Sequence, residues 1–452
     1  MAIANIGKKD FFWTLTSMIV KVGAGVLLYP FVLRYLPAQE VGIWTIFGVI
    51  GTLTVIFDFG FNPSFTRNIS YIYSGVSNLH KKGFETVSPI HSHNIDYVLL
   101  NSTIKAMKLF YSRIAVALFV VLITLGTLYI NTLITDYIGD KAEIYVSWVL
   151  VCSINCYLLY TKYYESLLIG KGLVKRSSQI TLLGYIVYVG AAIIFLLLGY
   201  GIVAVVASQG FSTVIIRVLS RKTFYTKQVK SVLANADNSR YKEVLNAIYP
   251  NAVKLGLTSL GGFVINKSST FIGSLFVPLE TMASYGISMQ IVVLISQVAC
   301  VLIRVNLPKI YKWRVENNIS SLRRMFWLTS SFIFVVFLMG GTLLVLFGDS
   351  ILVLIKSNTM LLPNVLLIVL LIQNYLETNH SNAAEFLSSK NEVPFFTASL
   401  ISAVGVIVLL YLFEAYLNMG ILGMILAPTI VQALYQNWRW PAMVISDLYR
   451  KS

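Results

Sequence analysis

Charged side chains inside long apolar runs are the residues of this sequence that could do chemistry. Lys21 lies about ten residues into the first apolar run, roughly 15 Å of helix rise from its beginning. Lys267 is similarly deep in a later run, next to Asn266 and a series of hydroxyl residues. A charge at the centre of a membrane span costs about 2.5–3.5 kcal/mol on insertion scales, so it usually faces a cavity or a partner. Both lysines are therefore predicted to line a water-filled cavity, and a pairing with a carboxylate or carbonyl is the alternative.

Carboxylates inside apolar runs are the candidates for ion coupling. Asp58 lies near the inner end of the second run, where it is either a proton or cation site or the ion-pair partner of Lys21 or Arg67. The tenth run carries polar residues at helical spacing: Asn374, Glu377, Ser381 and Glu385. Such a stripe on a membrane helix lines water or joins helices. We expect it to line the cavity, with Glu377 and Glu385 as further ion-coupling candidates.

The remaining cations near the ends of the apolar runs each allow two interpretations of their role. Arg34, at the outer end of the first run, is an interface anchor or a substrate contact, and Arg67 is a topology charge or a substrate contact. Lys254 and Arg304 are expected to extend to the cytoplasmic surface, and Arg304 is also retained as a substrate contact together with Asn374. Weaker cavity candidates are Tyr157, Tyr160, Tyr164, Glu165, Gln290 and Gln297.

The elements that must position these residues are membrane-spanning helices. The chain is 57% hydrophobic and 12% charged, whereas a soluble domain is about 45–50% apolar and about 25% charged. Apolar stretches of about 20 residues, the length that crosses a bilayer, recur from end to end. The predicted spans are 11–34, 41–62, 110–132, 144–167, 178–198, 200–218, 250–276, 281–305, 325–347, 362–387, 395–416 and 420–440.

The positive charge of the chain predicts its orientation. Of the 35 Lys and Arg residues, 29 fall at the N-terminus, the C-terminus or the even-numbered connections with their span ends. The positive-inside rule then predicts a bacterial inner-membrane protein with both termini in the cytoplasm. Insertion topology also accounts for the net charge of +16, so nucleic-acid binding is not expected. His91 and His93 lack a third ligand at a suitable spacing, so no metal or other cofactor is predicted.

The second half of the sequence partly repeats the first. Pro37 precedes Trp44 at the start of the second run, and Pro278 precedes Tyr285 at the start of the eighth. We therefore predict an N-terminal six-helix bundle at 1–218, a cytoplasmic linker at 219–249 and a C-terminal six-helix bundle at 250–452. The predicted fold is an all-α integral membrane protein of about twelve transmembrane helices, in two pseudo-equivalent bundles around a central cavity.

Several segments resemble one family of bacterial transporters. They are Tyr29–Pro37 with Gly42-Ile-Trp44, Asp58-Phe-Gly60 with Arg67, Ser166–Gly172, and Gly199-Tyr-Gly201. They are similar to Wzx-type O-antigen and capsule flippases of the multidrug/oligosaccharidyl-lipid/polysaccharide exporter superfamily. The resemblance extends over the whole chain in span number and loop sizes.

The resemblance implies a function. Two bundles would alternate between inward-open and outward-open states and move an undecaprenyl-pyrophosphate-linked oligosaccharide from the cytoplasmic to the periplasmic leaflet. Energy would come from an H⁺ or Na⁺ gradient, and the partners would be membrane lipids and other polysaccharide-assembly proteins. The sequence has no phosphate loop for ATP, which agrees with an ion gradient.

Two other classes of protein are alternatives to a flippase. A cation-coupled drug or metabolite antiporter of the same superfamily would need an acidic cavity, whereas the deepest charges here are lysines, which suit an anion. A membrane polymerase or ligase would need reactive groups on an outer loop, but the predicted outer connections are short and carry no nucleophile or paired carboxylates. The protein is therefore not expected to be an enzyme.

Overall fold

The computed structural model describes residues 8–76, 78, 95–390 and 394–449. The described residues form helices and no strand, in agreement with the predicted all-α membrane fold. The helices are α1 Lys8–Tyr35, α2 Ala38–Gly51, α3 Leu53–Phe57, α4 Phe61–Tyr73, α5 Tyr97–Val121, α6 Thr127–Leu133, α7 Lys141–Tyr160, α8 Tyr163–Gly170, α9 Val174–Leu197, α10 Gly201–Phe224, α11 Lys227–Asn235, α12 Tyr241–Gly273, α13 Leu279–Ala299, α14 Val301–Val315, α15 Ile319–Leu354, α16 Asn364–Ser388, α17 Phe396–Tyr411, α18 Ile421–Leu434 and α19 Gln436–Tyr449.

Seven described helices are long and apolar enough to cross a membrane. They coincide with the predicted third, fourth, fifth, sixth, eighth, ninth and eleventh spans: Tyr97–Leu133, Lys141–Gly170, Val174–Leu197, Gly201–Phe224, Leu279–Ala299, Ile319–Leu354 and Phe396–Tyr416. The other five predicted spans fall on α1, on α2 with α3, on α12, on α16, and on α18 with α19. The chain is a multi-pass membrane protein.

Several helices extend well past the predicted spans. α5 begins at Tyr97 rather than at 110, and α12 begins at Tyr241 rather than at 250. Hydropathy marks where the chain enters hydrocarbon, whereas a helix continues into water as long as its backbone hydrogen bonds are satisfied. The predicted linker at 219–249 likewise contains the end of α10, all of α11 and the beginning of α12.

The predicted second span is interrupted. α2 ends at Gly51, and α3 ends at a turn in which Phe59 and Gly60 adopt positive φ values of 46° and 68°. A left-handed conformation cannot continue an α-helix, so a new helix, α4, begins at Phe61. The fourth span is interrupted at Thr161 and Lys162, between α7 and α8. Both interruptions carry a charged residue.

The helices form two compact units, which differ from the predicted bundles. The first unit contains the described residues of Met1–Tyr35 and Ile50–Ser259, and the second contains those of Leu36–Val49 and Leu260–Ser452. Most of α2 therefore belongs to the second unit, although the predicted N-terminal bundle at 1–218 includes it. The division also falls within α12 rather than in the predicted linker.

α2 packs against α13 within the second unit through small residues. A Cβ atom on Gly42 would lie 2.3 Å from the carbonyl oxygen of Leu279, and one on Gly286 would lie 2.3 Å from Thr45 Cγ2. Gln39 Nε2 donates to Glu280 Oε1 at 2.6 Å near the beginnings of both helices. The two segments recognised as similar in the sequence, each introduced by a proline, thus lie against one another. Small residues allow this close approach of helix backbones.

A further apolar core of the second unit joins its last helices. Buried side chains of α14, α15, α16 and α19 form one cluster, which includes Ile310, Phe326, Phe386 and Trp440. Their close packing fixes the orientation of α16, which carries the polar stripe.

Candidate functional site

The turn between α3 and α4 holds a buried carboxylate in the first unit. Asp58 is 4% exposed. Its Oδ1 accepts a hydrogen bond from Tyr111 Oη at 2.8 Å, and its Oδ2 accepts one from the backbone N–H of Asn62 at 3.2 Å. The second bond satisfies one of the orphan N–H groups at the start of α4. The left-handed turn therefore directs Asp58 toward the tyrosine of α5.

The interruption of the fourth span supplies the cation for this carboxylate. Lys162 Nζ lies 3.7 Å from Asp58 Oδ2, and both side chains are largely buried. One turn later, Ser166 Oγ donates to the backbone carbonyl oxygen of Asn62 at 3.2 Å and also contacts its side-chain oxygen. The two helix interruptions are thus joined by an ion pair and by hydrogen bonds.

The sequence prediction of the partner of Asp58 is corrected by this geometry. The ion pair is made with Lys162, which is one of the 29 cations on the predicted cytoplasmic side and not one of the predicted partners. Arg67 is exposed on α4 rather than paired with Asp58. The side chain of Lys21, the other predicted partner, lies outside the described residues, as does that of Lys254.

Arg217 is a second buried cation of the first unit, and sequence reasoning missed it as a site residue. It lies on α10, is 8% exposed, and interacts electrostatically with Glu165, Tyr157, Tyr111 and Tyr164. Its Nε has no hydrogen-bond partner among the described residues. The signal was available, because Arg217 lies inside a predicted span. It is counted instead among the 29 cations of the predicted cytoplasmic side, because it lies in the last turn of that span.

The ionic residues at this place in the first unit and the tyrosines next to them form a group that we call the charged cluster. Its members are Asp58, Lys162, Glu165, Arg217, Tyr111, Tyr157 and Tyr164. It contains two carboxylates and two cations, so its formal charge is balanced. Ionic groups are stable in such a place only when each is paired or hydrogen-bonded. The Arg217 guanidinium in this cluster therefore has an N–H group that can donate a hydrogen bond to an incoming acceptor.

Lys267 lies on the part of α12 that belongs to the second unit. It is half-buried, and it has no hydrogen-bond or ion-pair partner among the described residues. Six residues, roughly 9 Å of rise, separate it from the end of the helix at Gly273. The neighbouring Asn266 is exposed and donates to the carbonyl oxygen of Gly262 at 2.8 Å. The ammonium group is thus a cation in a membrane helix without a compensating protein anion in the described part of the chain.

The residues of the predicted polar stripe of α16 differ in how far they are buried. Asn374 and Glu377 are half-buried, whereas Ser381 and Glu385 are exposed. Asn374 Nδ2 donates to the carbonyl oxygen of Leu370 at 2.9 Å, so its amide is partly used within its own helix. Glu385 interacts electrostatically with Arg304, which is exposed on α14.

Other faces of α16 carry buried polar residues. His380 is 7% exposed, and its Nδ1 lies 3.0 Å from Asn437 Oδ1 and 3.5 Å from Glu377 Oε2. Thr378 and Asn382 are also buried. Spacing along one helix could not separate these faces, because the polar residues of this segment surround the helix almost completely.

The other predicted site residues are dispersed. Arg34 is exposed, with its guanidinium carbon 5.5 Å from the centre of the Tyr35 ring, which is typical of an interfacial anchor. His91 and His93 lie outside the described residues. Within the described residues, no group of three His, Cys, Asp or Glu side chains is arranged to hold a metal ion.

The fold is similar to that of known transporters. The protein resembles an inward-facing multidrug resistance MATE family transporter of the MOP superfamily, with a TM-score of 0.62 and 15% identity over 95% of this chain and 96% of that one. It resembles the lipid II flippase MurJ in an inward closed conformation, with a TM-score of 0.63 and 15% identity over 97% and 87% of the two chains. A MOP superfamily transporter from Pyrococcus furiosus gives a TM-score of 0.53 at 14% identity over 98% and 96%.

Sequence comparison gave no further relatives. No protein-family model matches the chain, and no curated protein matches it. The structural neighbours have the twelve-helix, two-lobe transporter fold. This protein therefore has the fold of the MOP superfamily transporters, and its chemistry must be inferred from its own side chains.

Proposed function

We propose that this protein is a flippase that moves a lipid-linked oligosaccharide across the bacterial inner membrane by alternating access. The proposed cargo is an oligosaccharide on undecaprenyl pyrophosphate, used to build a cell-surface polysaccharide such as O-antigen or capsule. The proposed partners are the carrier lipid, bilayer lipids, an H⁺ or Na⁺ gradient, and other polysaccharide-assembly proteins. Both termini are proposed to lie in the cytoplasm.

The observation that carries the proposal is the unpaired ammonium group of Lys267. A half-buried cation in a membrane helix is unfavourable unless water or an anion compensates it. A pyrophosphate supplies several acceptor oxygens and a high negative charge, and Lys binds it as a point charge. The exposed Asn266 beside it offers a side-chain carbonyl for sugar hydroxyls.

The other proposed contacts extend the same chemistry. Lys21, Arg34, Arg67 and Arg304 are retained as cations for the carrier, and Asn374 as a sugar contact. Asp58, with Glu377 and Glu385, is proposed to couple transport to the ion gradient. Asp58 is the strongest of these three, since it is buried and bound to both Lys162 and Tyr111. A change in its charge would alter contacts on two helices.

A cation-coupled antiporter is the second candidate. The buried carboxylate Asp58 favours it, because a cationic drug or metabolite that replaced Lys162 as its partner would find an acidic site there. Similarity of fold does not separate the two candidates, because the MATE transporter and the lipid II flippase give almost the same TM-score. The two proposals differ in the charge of the cargo, which can be measured.

The test uses the full-length protein in liposomes with an imposed proton or sodium gradient. A fluorescent undecaprenyl-pyrophosphate-linked saccharide placed in one leaflet should reach the other, as measured by quenching with a membrane-impermeant reagent. Ethidium, a cationic dye, should not be transported. Ethidium movement without movement of the lipid-linked saccharide would instead support the antiporter.

Substitution of Lys267 tests whether its ammonium group takes part in transport, as the proposal requires. We expect K267A to reduce the rate of saccharide movement by about tenfold, which corresponds to about 1.4 kcal/mol, and K267R to retain most of the rate because the charge is preserved. The matched control is K309A, which removes an exposed lysine of α14 and should have no effect. Equal rates for K267A and K309A would exclude Lys267 from the site.

A further inference from the structure

The hairpin of α9 and α10 contains a groove that the proposed function does not use. The two helices are in close contact at Gly184, where a Cβ atom would lie 2.3 Å from Ile216 Cδ1. Ser212 Oγ donates to the carbonyl oxygen of Gly184 at 2.7 Å at the same crossing. Beyond this crossing, toward the first turns of α9 and the last turns of α10, a cavity of about 400 Å³ opens between the helices. We call it the α9/α10 groove.

The lining of the α9/α10 groove changes from polar to apolar along its length. Its six lining residues are Arg176, Gln179, Ile180 and Leu183 of α9, and Leu219 and Thr223 of α10. Arg176, Gln179 and Thr223 lie toward the helix termini, and the aliphatic residues lie deeper along the spans. The step from Arg176 to Leu183 is roughly 10 Å of helix rise. Each headgroup region of a bilayer is roughly 5–7 Å thick, so this step is long enough to reach from the headgroups into hydrocarbon.

The polar end of the groove is cationic. Arg176 is exposed, and its Nη1 makes a long hydrogen bond of 3.4 Å to Gln179 Oε1. Lys222, also exposed, is adjacent to Thr223 in sequence and lies three residues after Leu219, so it is near the same face of α10. Within the described residues, no carboxylate lines the groove. The Arg176 guanidinium at the polar end of the groove therefore favours an anionic ligand.

We propose that the α9/α10 groove binds an anionic phospholipid of the surrounding bilayer. The phosphate is held by Arg176, with Gln179 and Thr223 as hydrogen-bond donors, and the first part of an acyl chain lies against Leu183 and Leu219. A basic pocket between membrane helices at the headgroup level is suited to such a lipid. The volume accommodates a headgroup region with the beginning of one chain, so the rest of the lipid stays in the bilayer.

This site is independent of the proposed cargo. The groove uses none of the residues proposed to bind or couple transport. The bound lipid would fill the space between the first turns of α9 and the last turns of α10. It would also fix the depth of this hairpin in the membrane.

The experiment measures retention of lipid by the full-length protein in detergent. Native mass spectrometry with added phosphatidylglycerol should show a retained lipid, and phosphatidylethanolamine with the same acyl chains should be retained at least fivefold less. R176Q should reduce phosphatidylglycerol retention by about fivefold, whereas R176K should retain most of it. The control R113Q removes another exposed arginine of the first unit, from α5, and should behave as the native protein.

Three results would overturn the proposal. These are equal retention of the two phospholipids, equal effects of R176Q and R113Q, and preferential retention of undecaprenyl phosphate over phosphatidylglycerol at the same groove. The last result would assign the groove to the carrier lipid instead. If R176Q fails to fold, R176K still decides the matter, because a folded R176K protein without bound phosphatidylglycerol contradicts phosphate binding at this position.

Discussion

The ion pair between Asp58 and Lys162 joins two places where a helix is interrupted. Each residue is largely buried, and Tyr111 donates a further hydrogen bond to the same carboxylate. A buried charge is stable only while its partner is present, because its desolvation is otherwise uncompensated. The pair therefore couples the turn before α4 to the interruption between α7 and α8.

Removing one member of this pair should cost more than removing both. We expect D58N to lower the free energy of unfolding by about 3 kcal/mol, since Lys162 is left buried without its carboxylate. The double variant D58N/K162M should be more stable than D58N, because Met fills a similar space without a charge. Thermal unfolding in detergent of the native protein, both single variants and the double variant measures the coupling. Strictly additive effects would contradict an interaction between the two side chains.

Arg217 illustrates how a buried residue can be both a structural and a functional candidate. Glu165 compensates its charge electrostatically, but its Nε has no hydrogen-bond partner among the described residues. An unsatisfied buried donor has an energetic cost of about 1–3 kcal/mol. That cost is removed if an acceptor group reaches it. A transported ligand is one source of such an acceptor.

Helix contacts in the second unit depend on glycine. The close approach of α2 to α13 brings a backbone carbonyl oxygen against Gly42, and a backbone atom cannot move aside as a flexible side chain can. On the same helix, Gly48 has no atom within 4 Å of the position that its Cβ would occupy. Alanine at Gly42 would be limited by packing, whereas alanine at Gly48 would change only the helix propensity, so the two positions of α2 separate these effects.

Substitution of the two glycines by alanine should have opposite effects. G42A should lower the free energy of unfolding by about 1–3 kcal/mol, because the new methyl group overpacks the contact with Leu279. G48A should leave it unchanged or raise it by up to about 1 kcal/mol, because alanine favours a helix over glycine. Thermal unfolding of both variants under the same conditions measures the difference. Similar unfolding temperatures would contradict the close α2–α13 contact.

The last helix is held in the second unit by charged contacts. Arg314 of α14 donates from Nη1 to Asp447 Oδ2 at 2.8 Å and from Nε to Ser389 Oγ at 3.1 Å. Lys390 contacts the other oxygen of Asp447. Arg323 also donates to the carbonyl oxygen of Leu448 at 2.8 Å. Asp447 is therefore the residue through which α19 is joined to both α14 and the end of α16.

Loss of the Asp447 charge should loosen α19. We expect D447N to cost about 1.5–3 kcal/mol, the range for hydrogen bonds to charged groups. Hydrogen exchange at the amides of 436–449 should accelerate. E243Q is the control, because Glu243 pairs with Arg240 on an exposed surface, where an ion pair contributes about 0–1 kcal/mol. Unchanged exchange in D447N would show that the apolar contacts of α19 suffice.

At the scale of the whole molecule, the distribution of cations predicts the orientation in the membrane. Of the 35 Lys and Arg residues, 29 lie on one predicted side, and the positive-inside rule assigns that side to the cytoplasm. The segments 70–95, 225–245 and 310–320 should then be cytoplasmic. The segments 136–141 and 350–358 should lie outside.

Labelling of single cysteines tests this orientation. After replacement of Cys152, Cys156 and Cys300, a membrane-impermeant thiol reagent should label D136C in intact cells, because 136 is predicted to lie outside. It should label S231C only after the membrane is permeabilised. Both positions are exposed in the structure, so accessibility within the protein does not limit the reaction. Labelling of S231C in intact cells would contradict the predicted orientation, because it would place residue 231 outside.

Much of the architecture followed from composition and hydropathy. The all-α membrane fold, seven of the spans and the helical character of the others were predictable, because hydrocarbon excludes every spanning backbone that does not satisfy its own hydrogen bonds. The resemblance to flippases of the multidrug/oligosaccharidyl-lipid/polysaccharide exporter superfamily anticipated the MOP transporter fold. These conclusions depend on the amounts and positions of apolar residues, which the sequence states directly.

The partners of the buried charges were decided only by the tertiary structure. Asp58 meets Lys162 across 104 positions of sequence, because two separate helix interruptions pack together. The attachment of most of α2 to the second unit depends on Gly42 and Gly286, whose role appears only when α2 and α13 lie side by side. Periodicity assigns residues to one face of one helix, but it contains no information on which helix faces it. The energy of a buried charge depends on that neighbour, and so the sequence determined the membrane fold while the packing of helices determined the candidate site.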